Sequence, residues 1–339
     1  MSKLSSPMLR IGPVDVTGLA VLAPMSGITD AGMRRSARRF GASLVVSEMV
    51  ASDQLARREA EAVLRAEGEG VTPHVVQIAG CEAHWMGEGA RAAEAAGADI
   101  IDINMGCPAK RVTNGWSGSA LMRDLDNACR LIEATVSAVS VPVTLKMRLG
   151  WDHASLNAPE LARRAEDLGV RLITVHGRTR QQFYKGQADW AAVRAVRAAT
   201  TLPLVVNGDI SGPDTAKQAL AASGADMVMI GRAAMGQPWL VGQVAAHLAG
   251  QHWVAPTGPD MAEAACGHYD WLLTSMGRDK GLRHARKHVA AYIDAAGRQG
   301  AQVTPAETQA LLTSDVPEQV LNGLRTAFLQ TIPLERAVA

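Results

Sequence analysis

The chain has 339 residues, of which 47% are hydrophobic and 20% are charged, and it contains 32 glycines. This composition excludes disordered and fibrous classes and suits one α/β barrel of about 250 residues with a small appendage. The formal net charge is +1, so the charge balance alone indicates no nucleic-acid partner, and RNA binding would need a local basic patch.

Short aliphatic runs alternate with helical stretches rich in Ala, Arg and Glu from Leu19 to about Leu248. This alternation predicts repeated βα units around a parallel sheet, because the runs are apolar on both faces, as buried parallel strands are. Eight strands close a (β/α)₈ TIM barrel, which we predict for residues 1–250. The predicted strands are Leu19–Ala23, Leu44–Val46, Val75–Ile78, Ile100–Ile103, Val143–Leu145, Leu172–Val175, Leu204–Val206 and Met227–Ile230.

The pattern changes after the barrel. Residues 251–259 read QHWVAPTGP, with two prolines and a glycine, and predict a linker. Only helical stretches follow, so we predict a small all-α domain over residues 260–339. Its predicted helices are Met261–Met276, Gly281–Ala296, Thr304–Leu312 and Pro317–Phe328.

The cysteines and the N-terminus bear on the cellular compartment. The four cysteines lie far apart with no CxxC pair, which disfavours a structural zinc site and a disulfide framework. The N-terminal segment MSKLSSPMLR lacks the apolar region of a signal peptide, and no long uncharged apolar run occurs. We therefore predict a cytoplasmic protein that does not enter a membrane.

Polar residues end several of the predicted strands. In barrels of this kind the active site lies at the C-terminal ends of the strands. Gln77, Asn104, Lys146 and His176 each end a different apolar strand, so their side chains are predicted to surround one planar ligand at a common mouth.

Two further strand ends predict a phosphate site. The segment NGDI at Asn207–Ile210 follows the seventh strand, and Gly231 and Arg232 follow the eighth, where barrels bind phosphate through glycine N–H groups and a cation. Lys146 could alternatively form a Schiff base. However, Lys146 and Arg148 stand at i and i+2 and face the same side of a strand, which favours anion binding by both.

Cys107 lies in the segment NMGCPAKRV, in the loop after the fourth strand. A buried cysteine usually acts as a small hydrophobe, and this interpretation suits Cys81 and Cys129. Cys107 instead belongs to the mouth, where a protonated thiol can act as a general acid. No His or Asp adjoins it in sequence, although the fold could bring His176 close, so we favour a proton donor over a nucleophile.

A set of ordered motifs gives a family resemblance. The motifs are PMSGITD at Pro24–Asp30, NMGCPAKRV at Asn104–Val112, GSALM at Gly118–Met122, LKMR at Leu145–Arg148, HGRTR at His176–Arg180, NGDI at Asn207–Ile210, MIGRAAMGQPW at Met229–Trp239 and GLRHARKHVAAY at Gly281–Tyr292. Their order and spacing resemble those of the tRNA-dihydrouridine synthases, most closely the bacterial B subfamily.

The resemblance implies an FMN enzyme that reduces a D-loop uridine of tRNA with NADPH as the reductant. It implies hydride transfer from reduced FMN to uracil C6 and protonation of C5 by Cys107. The residues that match FMN contacts are Pro24, Met25, Ser26, Gln77, Lys146, Asn207, Gly208, Asp209, Gly231 and Arg232. By the same matching, Asn104, Arg148 and His176 resemble uracil- or flavin-contacting residues, and Arg178 and Arg180 resemble residues that reach RNA.

The helical region carries a basic run from Arg278 to His288. Within it Arg283, Arg286 and Lys287 are candidate tRNA contacts, whereas a solvated helix face is the alternative. The pair His284 and His288, at i and i+4, resembles a metal-binding pair, but with no third ligand in the sequence pattern we predict no metal. We also expect a monomer.

One loop departs from the family pattern, and two other functions remain open. The segment RVTNGWS at Arg111–Ser117 has Gly115 and Trp116 where many relatives carry a lysine just before a small residue. Another FMN barrel that acts on a free pyrimidine or other small molecule, such as a dihydroorotate-type oxidoreductase, would explain the mouth equally well. A tRNA-binding or chaperone protein with a purely structural flavin is the third possibility.

Overall fold

The computed structural model describes residues 8–331. Its strands are β1 (Met8–Ile11), β2 (Val14–Thr17), β3 (Ala20–Leu22), β4 (Leu44–Val45), β5 (Val50–Ala51), β6 (Val75–Ala79), β7 (Ile100–Met105), β8 (Val143–Arg148), β9 (Ile173–His176), β10 (Leu204–Asn207) and β11 (Met227–Ile230). The helices of the barrel region are α1 (Ala31–Arg39), α2 (Ser52–Ala56), α3 (Ala60–Ala66), α4 (Ala83–Ala95), α5 (Lys110–Thr113), α6 (Leu125–Val136), α7 (Ala158–Asp167), α8 (Arg194–Ala199), α9 (Pro213–Ser223) and α10 (Trp239–Leu248). The helices that follow are α11 (Gly258–Met276), α12 (Arg278–Arg298), α13 (Pro305–Thr313) and α14 (Pro317–Leu329).

The strands β3 to β11 form one parallel sheet of nine strands, in the order β4-β3-β11-β10-β9-β8-β7-β6-β5. An isolated parallel bridge between Val46 and Val75 links the end of β4 to β6, so the sheet curls round and meets itself. All eight predicted strands lie in this sheet, and the predicted barrel architecture is confirmed. The short strand β5 was not predicted, because its two residues only extend the pairing beside the end of β6.

An antiparallel hairpin of β1 and β2 precedes the barrel and was missed by the sequence analysis. Its buried residues Ile11 and Val16 pack in one apolar cluster with inward-facing strand residues such as Val205 and Met229. The hairpin therefore helps to fill the barrel interior from the N-terminal ends of the strands. Gly12 occupies the first position of the two-residue turn with φ of +57°, a conformation that favours glycine.

Helices α11 to α14 build a second apolar core. Its members surround Trp239 of α10, whose ring contacts Phe40 at 5.8 Å and Phe328 at 5.9 Å between centroids. The helical region thus packs against the outside of the barrel through a shared tryptophan.

The helical region begins inside the predicted linker. Thr257 caps α11 by accepting from the Asp260 amide while the Asp260 carboxylate accepts from Thr257, so the helix begins at Gly258. The division at residues 250 and 260 stays a prediction, and residues 1–7 and 332–339 of the two predicted domains lie outside the described part of the chain. Within residues 8–331, the helices are all too short or too polar to cross a lipid bilayer.

Candidate active site at the mouth of the barrel

A cavity of about 650 Å³ opens at the C-terminal ends of the strands. This volume lies in the range of about 300–1,000 Å³ that is typical of small-molecule sites. Every residue predicted to contact the cofactor lines it: Pro24, Met25, Ser26, Gln77, Lys146, His176, Asn207, Gly208, Asp209, Gly231 and Arg232. Cys107, Asn104 and Arg148 also line it. The strands therefore bring these side chains together at one mouth.

A chain of buried hydrogen bonds leads from the barrel interior to the cysteine loop. Gln77 Nε2 donates to Asp102 Oδ2 at 2.7 Å, and Asn104 Nδ2 donates to Gln77 Oε1 at 2.7 Å. The other end of the Asn104 amide, Oδ1, accepts from the backbone amides of Cys107 at 3.0 Å and Gly106 at 3.2 Å. The barrel interior thus fixes the start of the loop that carries Cys107.

Asp102 is a member of this chain that the sequence analysis missed. It is 4% exposed, burial raises the pKa of its carboxyl group, and Thr144 Oγ1 donates to its Oδ1 at 2.6 Å. Asp102 and Asn104 stand two apart on β7 and so face the same side of the strand. That spacing was the signal that could have found Asp102.

Hydrogen bonds from the segment at Gly118 and Ser119 also fix the loop that carries Cys107. Ser119 donates to the Cys107 carbonyl from its backbone amide at 3.1 Å and from its hydroxyl at 2.8 Å. Gly118 has φ of +60°, and a Cβ there would lie 2.9 Å from the Cys107 carbonyl oxygen. The first two residues of the motif GSALM are therefore small because they support the cysteine loop at close range.

Lys146 places a buried cation beside the cavity. Lys146 is only 8% exposed, and its Nζ donates to Asn207 Oδ1 at 3.2 Å. Burial and the neighbouring charge of Arg148 lower the pKa of Lys146 to about 8. Among residues 8–331 it makes no ion pair with a carboxylate. A buried ammonium without an ion-paired carboxylate favours an anionic or electron-rich ligand.

His176 is a neutral group in this site. Burial, together with the charges of Arg148, Lys146 and Arg178, holds the pKa of His176 well below its ordinary value. Arg178 Nη1 lies 3.4 Å from His176 Nε2 and carries only donor hydrogens, so Nε2 accepts and Nδ1 carries the proton. His176 can therefore donate or accept a hydrogen bond here but supplies no charge.

The ends of β10 and β11 form a positively charged corner. Asp209 accepts from Arg178 at 3.0 Å and pairs with Arg232 at 3.3 Å. Burial acts to raise the pKa of Asp209, but the Arg178 hydrogen bonds hold it below its ordinary value. Two guanidinium groups thus share one carboxylate. Arg232, whose side chain is 59% exposed, is left with donors for an anion next to the Gly231 backbone.

The structure corrects the prediction for Arg178. This residue is 1% exposed and is absent from the cavity wall, because its guanidinium holds Asp209 and the carbonyls of Lys185 and Gly186. It braces the positively charged corner and is too deeply buried to reach RNA from this position. Arg180 is half-buried and does not line the cavity either, and its Nη2 donates to Thr113 Oγ1 at 3.3 Å.

Two aromatic residues of the loop after β9 line the cavity and were not predicted. They are Phe183 and Tyr184, and the Tyr184 ring lies 5.0 Å from Arg232 Cζ and 5.7 Å from Arg148 Cζ. Arg148 fixes this loop by donating to the Phe183 carbonyl at 2.9 Å, and it also holds the Gly106 carbonyl at 2.8 Å. The sequence offered no signal for them beyond two aromatic residues in a polar loop.

The predicted RNA-contacting residues of the helical region lie on α12, outside the cavity. Arg283 and Arg286 are exposed and make no ion pair within residues 8–331. Lys287 is exposed as well, and a Cβ on Gly27 would lie 2.8 Å from its Nζ. Since Gly27 belongs to the loop after β3, α12 runs beside the mouth of the barrel.

The sequence analysis found no third group for the pair His284 and His288, and the structure supplies one. Asp30, His284 and His288 offer ligand atoms within 4.8 Å of one another. Asp30 is already bound to His268 Nε2 at 3.0 Å. Lys287 Nζ lies 3.5 Å from His284 Nδ1, and an ammonium that donates there leaves the proton of the neutral imidazole on Nε2. The positive charge of the Lys287 ammonium disfavours a metal cation beside it, and the absence of a metal stays a prediction.

The family model described as "Dihydrouridine synthase (Dus)" matches residues 21–330, which span the whole mouth and most of the helical region. The chain belongs to the dihydrouridine synthase family. The resemblance carried by the ordered motifs is therefore confirmed, and so is the prediction of an enzyme.

Curated relatives of this family are similar over nearly the full length. A "Probable tRNA-dihydrouridine synthase" of Rhizobium leguminosarum bv. phaseoli is 52% identical over 315 residues, which cover 93% of this chain and 96% of the relative. A relative of the same name from Rhodobacter capsulatus is 50% identical, with 96% and 98% covered. A "tRNA-dihydrouridine synthase B" of Xanthomonas axonopodis pv. citri is 43% identical, with 94% and 99% covered.

A solved structure supports the fold alone. Histamine dehydrogenase from Rhizobium sp. 4-9 superposes with a TM-score of 0.55 at 14% sequence identity. The match covers 98% of this chain and 65% of that one.

Proposed function

We propose that this dihydrouridine synthase reduces the C5–C6 bond of a D-loop uridine in tRNA, with FMN as the bound cofactor and NADPH as the reductant. The observation that carries the proposal is the single cavity that Cys107 and the buried cation Lys146 both line. A thiol can supply a proton, and a buried cation favours a ring that accumulates negative charge. The names of the curated relatives support tRNA as the substrate.

The residues at the mouth fit FMN. The cavity has room for a flat three-ring system, and its polar lining includes the Lys146 ammonium and the Gln77 amide. The ends of β10 and β11 add Arg232 and the backbone of Gly208 and Gly231, which would hold a phosphate. A Cβ on Gly208, where φ is +116°, would lie 2.7 Å from Ala188 Cβ, so the chain keeps this backbone bare. FMN would supply the hydride, taken from NADPH, that reaches uracil C6.

The residues of this chain complete the reaction at the other carbon. The Cys107 thiol gives its proton to C5 as the hydride reaches C6, and the resulting thiolate recovers a proton from solvent. Asn104 positions this loop through the Cys107 amide, and neutral His176 offers its Nδ1 proton to a carbonyl oxygen. Atoms and charge balance, because one hydride and one proton saturate the double bond.

A uridine within folded tRNA must leave its stack to enter the cavity, which costs a few kcal/mol. Exposed cations beside the mouth can offset this cost through phosphate contacts. We propose that Arg283, Arg286 and Lys287 on α12 make such contacts, because this helix passes the loop after β3. We further propose that the enzyme acts in the cytoplasm as a monomer.

Purified protein tests the proposal directly. We expect a yellow protein that binds FMN and forms dihydrouridine in unmodified tRNA when NADPH is added, as measured by mass spectrometry of digested tRNA. Equal turnover of free uridine or uracil would favour the small-molecule oxidoreductase instead. Flavin binding and tRNA binding without any product would favour a binding protein with a structural flavin, and a colourless protein that takes up no FMN would refute the proposal.

A further inference from the structure

Five side chains form an alternating stack of rings and guanidinium groups at the rim of the cavity. In order they are Trp116, Arg123, Trp151, Arg180 and Phe183, which we call the rim stack. Arg123 Cζ lies 5.5 Å from the Trp116 ring and 4.9 Å from the Trp151 ring. Arg180 Cζ lies 4.8 Å from the Trp151 ring and 4.7 Å from the Phe183 ring.

The rim stack connects the cavity with the outside. Phe183 is part of the cavity wall, whereas Trp116 lies in the loop that follows Cys107 and is 61% exposed. Among the Phe, Tyr and Trp side chains of residues 8–331, only Trp116 and Tyr184 are exposed, and Tyr184, at 52% exposure, lines the same cavity as Phe183. Both exposed rings therefore stand at this mouth rather than being scattered over the surface.

Fold stability does not account for Trp116. Its backbone is in the left-handed region, with φ of +57°, where a bulky residue costs about 1 kcal/mol or more. Its ring stays mostly in water, so little apolar burial offsets that cost. Arg123 next to it is exposed and makes no ion pair within the described residues. An exposed ring and an unpaired cation side by side suit a ligand that is both flat and anionic.

We propose that the rim stack binds the single-stranded RNA that flanks the uridine in the cavity. A neighbouring nucleobase stacks on the free face of Trp116, and Arg123 contacts the phosphate that follows it. Unstacked RNA is recognised in this way by aromatic rings and guanidinium planes. The proposal rests on the proposed function, since it takes tRNA as the substrate, and it assigns a role to the loop in which this chain departs from the family pattern.

Replacement of the outer ring tests the stacking. We expect Trp116→Ala to weaken tRNA binding by about 5- to 150-fold, the range for one lost base stack. Trp116→Phe keeps a ring and should keep most of the affinity. Both variants of the flavin-loaded protein should retain the wild-type flavin content and the wild-type rate of NADPH oxidation without tRNA, because Trp116 does not line the cavity. Fluorescence anisotropy with labelled tRNA measures the binding.

Replacement of the cation tests the phosphate contact. We expect Arg123→Gln to weaken binding and to lower the slope of log affinity against log salt by about 1. Arg171→Gln is the matched control, because it removes the same charge from an exposed position. Arg171 lies just before β9, at the opposite end of the barrel. This control should bind tRNA as the wild type does.

The outcomes separate this proposal from the proposed function. If Trp116→Ala binds tRNA as tightly as the wild type and still forms dihydrouridine, the rim stack is not an RNA site although the function stands. An affinity loss that Trp116→Phe shares in full would mean that the tryptophan shape, and not ring stacking, matters, and would also overturn the proposal. If the wild-type protein neither binds nor reduces tRNA, the proposed function itself fails.

Discussion

Replacement of Lys146 by methionine should make the ligand-free protein more stable while it removes flavin binding. Burial and the charge of Arg148 lower the pKa of Lys146 from 10.5 to about 8. Each pKa unit corresponds to about 1.36 kcal/mol, so keeping this ammonium charged in the folded state costs about 3 kcal/mol. Methionine fills a similar volume without a charge and avoids that cost. The lost hydrogen bond to Asn207 reduces the gain by about 1 kcal/mol.

The pH dependence follows from the direction of the pKa change. Between pH 8 and pH 10.5 the folded protein binds fewer protons at Lys146 than the unfolded chain does, so the stability of the wild type rises with pH in that window. The advantage of Lys146→Met is therefore full at pH 7. It shrinks to about 1.4 kcal/mol of electrostatic gain at pH 9.5 and vanishes above pH 10.5.

Urea unfolding of ligand-free protein at pH 7 and pH 9.5, followed by circular dichroism, measures both effects. Lys217→Met is the matched control, because Lys217 is exposed on α9 and its replacement removes the same charge without relieving burial. A urea midpoint for Lys146→Met at or below that of the wild type at pH 7 would refute the reasoning. It would mean that the fold itself stabilises the buried ammonium.

Further changes probe the proton donor, the RNA surface and the contact between the barrel and the helical region. Cys107→Ala should lower dihydrouridine formation about 10²- to 10⁴-fold with flavin content unchanged, and unaltered product by mass spectrometry would contradict the donor role. Arg283→Glu with Arg286→Glu should weaken tRNA binding and flatten its salt dependence in anisotropy titrations, whereas unchanged binding would place the RNA elsewhere. Asp30→Asn should cost about 1–3 kcal/mol in urea unfolding at pH 7, because it removes a buried carboxylate that accepts from His268 Nε2 and from the Met33 amide at the start of α1. Burial acts to raise the pKa of Asp30, but His268 holds it well below its ordinary value. The contribution of Asp30 to folding stability is therefore present above about pH 4 and fades in acid. An unchanged free energy of unfolding for Asp30→Asn would contradict this role.

The barrel could be predicted because its strands carry a simple signal. Runs that are apolar on both faces, such as Met227–Ile230, match β11 residue for residue. The β1–β2 hairpin was missed because its strands are short and half-exposed, although the Gly12-Pro13 turn between them was a usable sign. The start of α11 was missed by a few residues, because Thr257 and Asp260 cap the helix from within a stretch that reads as a linker.

The location of the site could also be predicted, because the C-terminal ends of the strands define it. Lys146 and His176 follow apolar runs, so their shared mouth needed only the topology. Arg178 could not be placed by the same argument. It lies beyond the end of β9 in a loop, where the inward and outward alternation of a strand no longer applies, and only the fold shows that its partner is Asp209. Loop residues such as Tyr184 could not be predicted for the same reason.

The charges at the mouth give the strongest physical reason to expect an anionic ligand there. Lys146, Arg148 and Arg178 are all buried, and only Arg178 has an ion-paired carboxylate among the described residues. Burial of Lys146 and Arg148, together with repulsion between neighbouring cations, destabilises the ligand-free fold, as the lowered pKa values of about 8 for Lys146 and about 10 for Arg148 show. A ligand that brings a phosphate and an electron-rich ring would relieve this cost, so its binding and the folding stability must rise together. A neutral ligand would leave the cost in place, and for this reason the mouth favours an anionic ligand over an uncharged small molecule.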